Sequence, residues 1–174
     1  MALLCIQSAK AAKHWYGIAA GPLVHLVPSD RIGVVAALSA GIEGTQWNEN
    51  FFQGACGTLF GLITESSKAL LPTLTGELGL EMGTASLLLN GGVELFGIAQ
   101  RNEWTVFSTF GLVGSAGVSI EVSPGVRLSL RGQVIWLPPF SAARLAEPPS
   151  GEMPTFAFAS ALFGVEFLGR GDDF

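Results

Sequence analysis

The stretch V118-S-I-E-V-S-P-G-V-R-L-S-L-R-G132 decides how the rest of the chain is read. On either side of Ser123-Pro124-Gly125, residues alternate in character. Val118, Ile120, Val122, Val126, Leu128 and Leu130 fall on one face, and Ser119, Glu121, Arg127, Ser129 and Arg131 on the other. Strict alternation around a Pro-Gly pair is the pattern of two antiparallel strands joined by a tight turn. The fold class turns on whether the Val/Ile/Leu face looks inward to a soluble core or outward to lipid.

Composition bears on that choice. Of 174 residues, 49% are hydrophobic, the mean hydropathy is +0.47 and only 13% are Asp, Glu, Lys or Arg, against roughly 25% in ordinary soluble domains. Lysine, the usual residue of a solvated surface, occurs only at Lys10, Lys13 and Lys68. Much of this exterior is therefore expected not to meet water. A net charge of −5 without a basic stripe argues against a nucleic-acid partner.

A membrane-spanning helix needs about 20 mostly apolar residues in succession. The best candidates, IGVVAALSAGI at 32–42 and FAFASALFGVEF at 156–167, are far shorter. A closed β-barrel is the other spanning structure that lipid permits. Cys5 and Cys56 have neither metal-ligand spacing nor the density of a disulfide framework, so no metal and no cofactor is expected. The opening MALLCIQSAKA carries a short apolar stretch and the small-x-small Ala9-Lys10-Ala11, without the basic flank of a secretory signal. Either the numbering starts inside a longer precursor or export is not encoded here.

Alternation recurs from residue 14 to 168. Tyr16, Ile18, Ala20, Val24 and Leu26 form one apolar set, and Ile32, Val34, Ala36, Leu38, Ala40 and Ile42 the next. Leu70, Leu74, Leu78, Leu80 and Met82 alternate with Thr73, Thr75, Glu77 and Glu81, and the run 104–122 behaves alike. Residues 51–63 are apolar on both faces, and the phase is mixed over 86–99. Breakers near 28–30, 45–50, 65–67, 83–85, 101–102, 123–125 and 138–154 divide the chain into eight strands, with 103–123 kept whole. Membrane barrels alternate short turns with longer external loops, and the three-residue Ser-Pro-Gly turn and the long 138–154 connection fall where that scheme needs them. Trp15, Tyr16, Trp47, Trp104, Trp136 and Phe167 lie near strand ends, where aromatic girdles meet the two interfaces.

The polar face is rich in Gly, Ser, Thr and Ala, with scattered Glu and Arg. Such a set suits the interior of a barrel of about eight strands, where only side chains fit. The Val/Ile/Leu face of 118–130 is accordingly assigned to lipid. On these features, and on a final strand ALFGVEF with Phe163 and Phe167 on one side, the chain resembles the small outer-membrane β-barrels, the group of the OmpA barrel domain and OmpX-like proteins. The resemblance is architectural and covers 14–168. Members usually end on the terminal aromatic read by the assembly machinery; here LGRGDDF follows Phe167, and Arg170 and Asp172 stand at the alternate positions.

The inward face is expected to carry Glu43, Glu77, Glu81, Glu121, Arg127 and Arg131, with Glu103 and Glu166 beside them. Carboxylates inside a barrel need partners, so a structural ion-pair network is the expected arrangement and a narrow cation-preferring pore the rival one. His25, with Ser29 and Asp30 close by, is weighed as a His-assisted serine and read instead as an ordinary hydrogen-bonded histidine. The Gly-rich NGGVELFG and GLVGSAG lack the lysine of a phosphate loop.

The sequence is thus read as an all-β, antiparallel up-and-down transmembrane barrel at 14–168, with an N-terminal extension at 1–13 and a C-terminal tail at 169–174. Its expected place is a bacterial outer membrane. There it would act without catalysis, as an anchor or scaffold in an envelope complex or as a narrow pore. Its partners would be the lipid bilayer and, through loop 138–154 with a short helix at SAARLAE, other envelope proteins. The rivals are a soluble lipocalin-like barrel binding an apolar ligand and a lipid-modifying barrel enzyme.

Overall fold

A computed structural model of the chain describes residues 13–27, 32–46, 50–65, 68–100, 104–144, 149–153 and 155–169. The described residues form ten strands: β1 Lys13–Val27, β2 Ile32–Gln46, β3 Phe51–Thr64, β4 Lys68–Met82, β5 Ala85–Gln100, β6 Trp104–Ser123, β7 Val126–Leu137, β8 Phe140–Arg144, β9 Pro149–Met153 and β10 Phe156–Gly169. Eight of them close on themselves. Neighbours in sequence pair antiparallel from β1 to β7, β7 pairs with β10, and β10 returns to β1 through a ladder from His14↔Gly169 to Val27↔Ala157. Closure leaves no strand edge in the barrel wall, the condition for a sheet to sit in hydrocarbon. No helix of the described residues is long and apolar enough to cross a membrane.

The alternation of the opening hairpin is resolved by side-chain placement. Val118, Ile120, Val122, Leu130 and Val134 are exposed on the outer surface, while Ser119, Arg127, Ser129 and Gln133 are buried inside. The same phase holds around the wall: Ile18, Leu38, Leu59, Leu74, Leu89, Phe110, Leu112 and Phe163 all point outward, and Phe110 is 72% exposed. A soluble protein does not present a continuous belt of this kind to water, so the belt faces lipid and the strands span the membrane.

Two tight turns close the end where β1 begins and β10 finishes, here called the terminal end. Gly83 (φ 70°) and Gly125 (φ 82°) occupy them in the left-handed region that glycine enters without a Cβ penalty. Backbone bonds stitch this end together: Leu168 N–H donates to Gly125 O at 2.8 Å and Glu121 N–H to Thr84 O at 2.8 Å.

At the opposite end, the loop end, the structure corrects the reading of 138–154. Residues 141–144, the start of the expected SAARLAE helix, belong to strand β8. They pair with the first part of β6, Thr105↔Arg144 to Ser108↔Ser141, and β9 pairs with β8. Pro138-Pro139 interrupts β7, since proline donates no ladder hydrogen bond, and β8 resumes the same path beyond it. The wall is therefore taller on the β6 side, and the eight-stranded barrel carries a further short hairpin.

The barrel interior as candidate functional site

The inward-facing residues separate into two zones. Toward the terminal end they are charged and polar. Arg127 on β7 donates through Nη1 and Nη2 to the two carboxylate oxygens of Glu43 on β2, the second contact at 3.3 Å. Arg131, four residues further along β7, donates Nη2 to Glu166 Oε1 on β10 at 2.6 Å and Nη1 to Glu77 Oε2 on β4 at 3.4 Å. Asn90 Nδ2 on β5 completes the Glu77 carboxylate at 2.9 Å. Five strands are tied across the lumen in this way. The side chains of Arg127 and Glu43 keep only 6% and 5% of their surface, where Coulomb attraction is strong and desolvation is offset only by good geometry. A fork of arginine donors on carboxylates supplies that geometry.

Trp15, expected at the interface, lies inside instead. It is buried at 2%, with the Arg131 guanidinium 5.5 Å from its ring centroid. The reason is phase: Trp15 shares the inward parity of Ala19 and Leu23 on β1, whereas its neighbour Tyr16 points outward. Gly41 makes the space, since a Cβ there would stand 2.7 Å from the indole. Of the other expected interfacial aromatics, Tyr16, Trp136 and Phe167 are exposed on the outer wall. Trp47 lies outside the described residues, and for Trp104 only the backbone, at the start of β6, is described.

The expected ionic residues are likewise sorted by position. Glu43, Glu77, Arg127 and Arg131 meet in the network. Glu81 is half-buried at the terminal mouth, its N–H donating to Asn50 O at 2.7 Å. Glu121 stands outside the network: it is exposed at the turn, where its Oε1 accepts from Gly125 N–H at 3.4 Å. It pairs with Arg127 and shares the inward parity of Ser119, but it stands at the rim beside the turn, where its side chain is open. Two inward polar residues were not among those expected. Asn90, which shares the inward parity of Ser86 and Leu88, joins the network; Glu94, wholly buried further along β5, stands apart from it. Gly111, paired with Glu94 on β6, leaves the room for its carboxylate; a Cβ there would sit 3.0 Å from Oε2.

Above the ion pairs, the middle of the lumen is lined by Ser39, Thr58, Thr73, Thr75, Ser115 and Ser129 around a cavity of about 40 Å³. Ser39 Oγ and Thr58 Oγ1 are 3.0 Å apart, and Cys56 Sγ lies 3.4 Å from Thr75 Oγ1. Toward the loop end the interior turns apolar. Leu23, Val35, Leu62, Leu71, Leu137 and Phe158 pack into one buried cluster drawn from six strands, and Ala99 and Val113 add the other two. His25 meets Phe158 edge to face at 4.7 Å, so its ring is buried in the lumen; Ser29 and Asp30 lie outside the described residues.

No family model matches the sequence, and no curated protein matches it. Solved structures do. The chain aligns with the Neisserial surface protein A over 92% of its own length and 99% of the other chain, at TM-score 0.58 and 13% identity. It aligns with Ail, the attachment invasion locus protein of Yersinia pestis, over 91% and 97%, at TM-score 0.52 and 11% identity. The fold is that of the small outer-membrane β-barrels. At such identities the likeness extends to the backbone path alone, and the interior just described is this chain's own.

Proposed function

We propose that the chain is a non-catalytic barrel of a Gram-negative outer membrane that serves as an anchor or scaffold in the envelope, with a closed lumen. The observation that carries this reading is the filled interior: ion pairs at one end, an apolar cluster at the other and a cavity of only about 40 Å³ between them. A lipocalin-like pocket for an apolar ligand requires several hundred Å³, on the order of 300 or more, and a belt of outward Leu, Ile, Val and Phe has no place on a soluble barrel. The burial of His25 against Phe158, away from the lipid face, speaks against a lipid-modifying site there.

In this orientation the terminal end, with its tight turns, faces the periplasm. The β8–β9 wall at 140–153 rises on the outer side as the surface offered to other envelope components. The test is fractionation followed by reconstitution. The exported chain should appear in the outer-membrane fraction, migrate differently on a gel before and after boiling, and leave a planar bilayer without conductance. Recovery as a monodisperse protein in detergent-free buffer would overturn the membrane reading, and steady wild-type conductance would overturn the closed lumen.

A further inference from the structure

The two closures of the lumen differ in kind, and the polar middle lies between them. Among the described residues, Asn90 Oδ1 and Gln133 Nε2 are buried without a hydrogen-bond partner, and both residues line the cavity. One is an acceptor in need of a donor, the other a donor in need of an acceptor. A metal cation satisfies only the first and an anion only the second, whereas water does both. A buried water needs roughly 10–15 Å³ of such space and two to four polar partners, so a cavity of about 40 Å³ ringed by Ser39, Thr58, Ser115 and Ser129 has room for a small cluster.

We propose that this cavity is a water chamber, and that the apolar cluster above it, not the ion-pair network below, is the barrier that stops water and ions from crossing. The inference rests on the closed-lumen reading and assigns the closure to particular residues. The argument is one of solvation. At the floor, Arg131 and Glu166 themselves line the chamber. A group that loses its partner there turns to water, so breaking a pair hydrates the floor further without a dry layer being lost. At the roof, Leu23, Val35, Leu62, Leu71, Leu137 and Phe158 are each at most 8% exposed. A constriction lined by such side chains excludes ions by staying dry. A Cβ at Gly111 would meet both Leu137 and Glu94 Oε2, so the wholly buried Glu94 lies at the level of this layer, and the circle of apolar side chains runs through all eight barrel strands.

The experiment compares three reconstituted proteins in planar bilayers in concentrated KCl, each first shown to be folded by its heat-dependent gel migration. The wild type and the floor variant E77Q/R131Q are expected to be silent. The roof variant L62S/L71S is expected to open discrete conductance steps. A folded floor variant that conducts as the roof variant does, or a folded roof variant that stays silent, overturns the proposal. Conductance in the wild type would instead overturn the closed-lumen reading on which it rests. A second measurement does not depend on the variants' folding. In the wild-type protein in micelles, magnetisation exchange between bulk-derived water and the side-chain amides of Gln133 and Asn90 should give cross-peaks, and their absence would remove the chamber.

Discussion

At the residue scale the lumen is organised by which groups leave room and which fill it. Gly79 on β4 lies under Phe52 on β3: a Cβ at Gly79 would fall 2.0 Å from the ring, and Phe52 is buried at 4%. Replacing Gly79 with Ala should therefore displace the ring and cost about 1–3 kcal/mol, as overpacking usually does. Urea unfolding in detergent, followed by tryptophan fluorescence, measures it, and an unchanged midpoint would show that Phe52 is not held there. The Arg127–Glu43 pair gives a sharper test. Glu43→Ala and Arg127→Ala each leave one buried charge alone and should each cost about 3–5 kcal/mol. The double variant should be less destabilised than their sum, and additive costs would mean the two side chains do not meet. The sequence made the inward parity of Glu43, Glu77, Arg127 and Arg131 legible. Which acid meets which base was not legible, because partners come from strands as far apart as β2 and β7. The place of Trp15 is not legible for a related reason: a tryptophan near a strand end suits an interface, and only the space above Gly41 shows that it turns inward.

At the scale of the elements, departures from simple alternation have local causes. The mixed phase over 86–99 is a bulge. The β4–β5 register shifts between Leu70 and Thr73, where three residues of β5 (95–97) stand against two of β4, so Leu87 and Leu89 point outward on odd positions, and Phe96 on an even one. Deleting Leu95 should restore plain alternation along β5 with Phe96 still outward, so the heat-modifiable form is expected to persist; its loss would mean that the bulge itself is needed for closure. The doubly apolar stretch 51–63 has another origin. Phe60 and Leu62 enter the interior cluster while Leu59 and Ile63 meet lipid. The prior of a polar lumen hides this, since apolar-in and apolar-out cannot be told apart when both faces are apolar. β8 and β9 are not legible in the sequence because prolines at 138, 139, 148, 149 and 154 mark their surroundings as loop, and beyond the bilayer no lipid imposes alternation. Since β7 and β10 pair directly, replacing 140–153 with a short Gly/Ser linker should leave the barrel foldable and heat-modifiable. Failure to fold would mean that the taller wall is needed for closure.

For the whole molecule, one choice organises everything else: the apolar face of the hairpin at 118–132 looks to lipid, and the charged face looks inward. Low charge, the shortage of lysine and the lack of a long apolar run were enough to read that choice from the sequence, because the bilayer constrains the exterior of every strand at once. The interior has no comparable constraint, and its division into floor, chamber and roof emerged only with the register. Oxygen-collision rates of nitroxide labels placed singly along β7 in lipid bilayers test the orientation most directly. The account predicts maxima at Val126, Leu128, Leu130 and Val134 and minima at Arg127, Ser129, Arg131 and Gln133. The opposite phase would contradict it, placing the apolar face in the core of a soluble barrel.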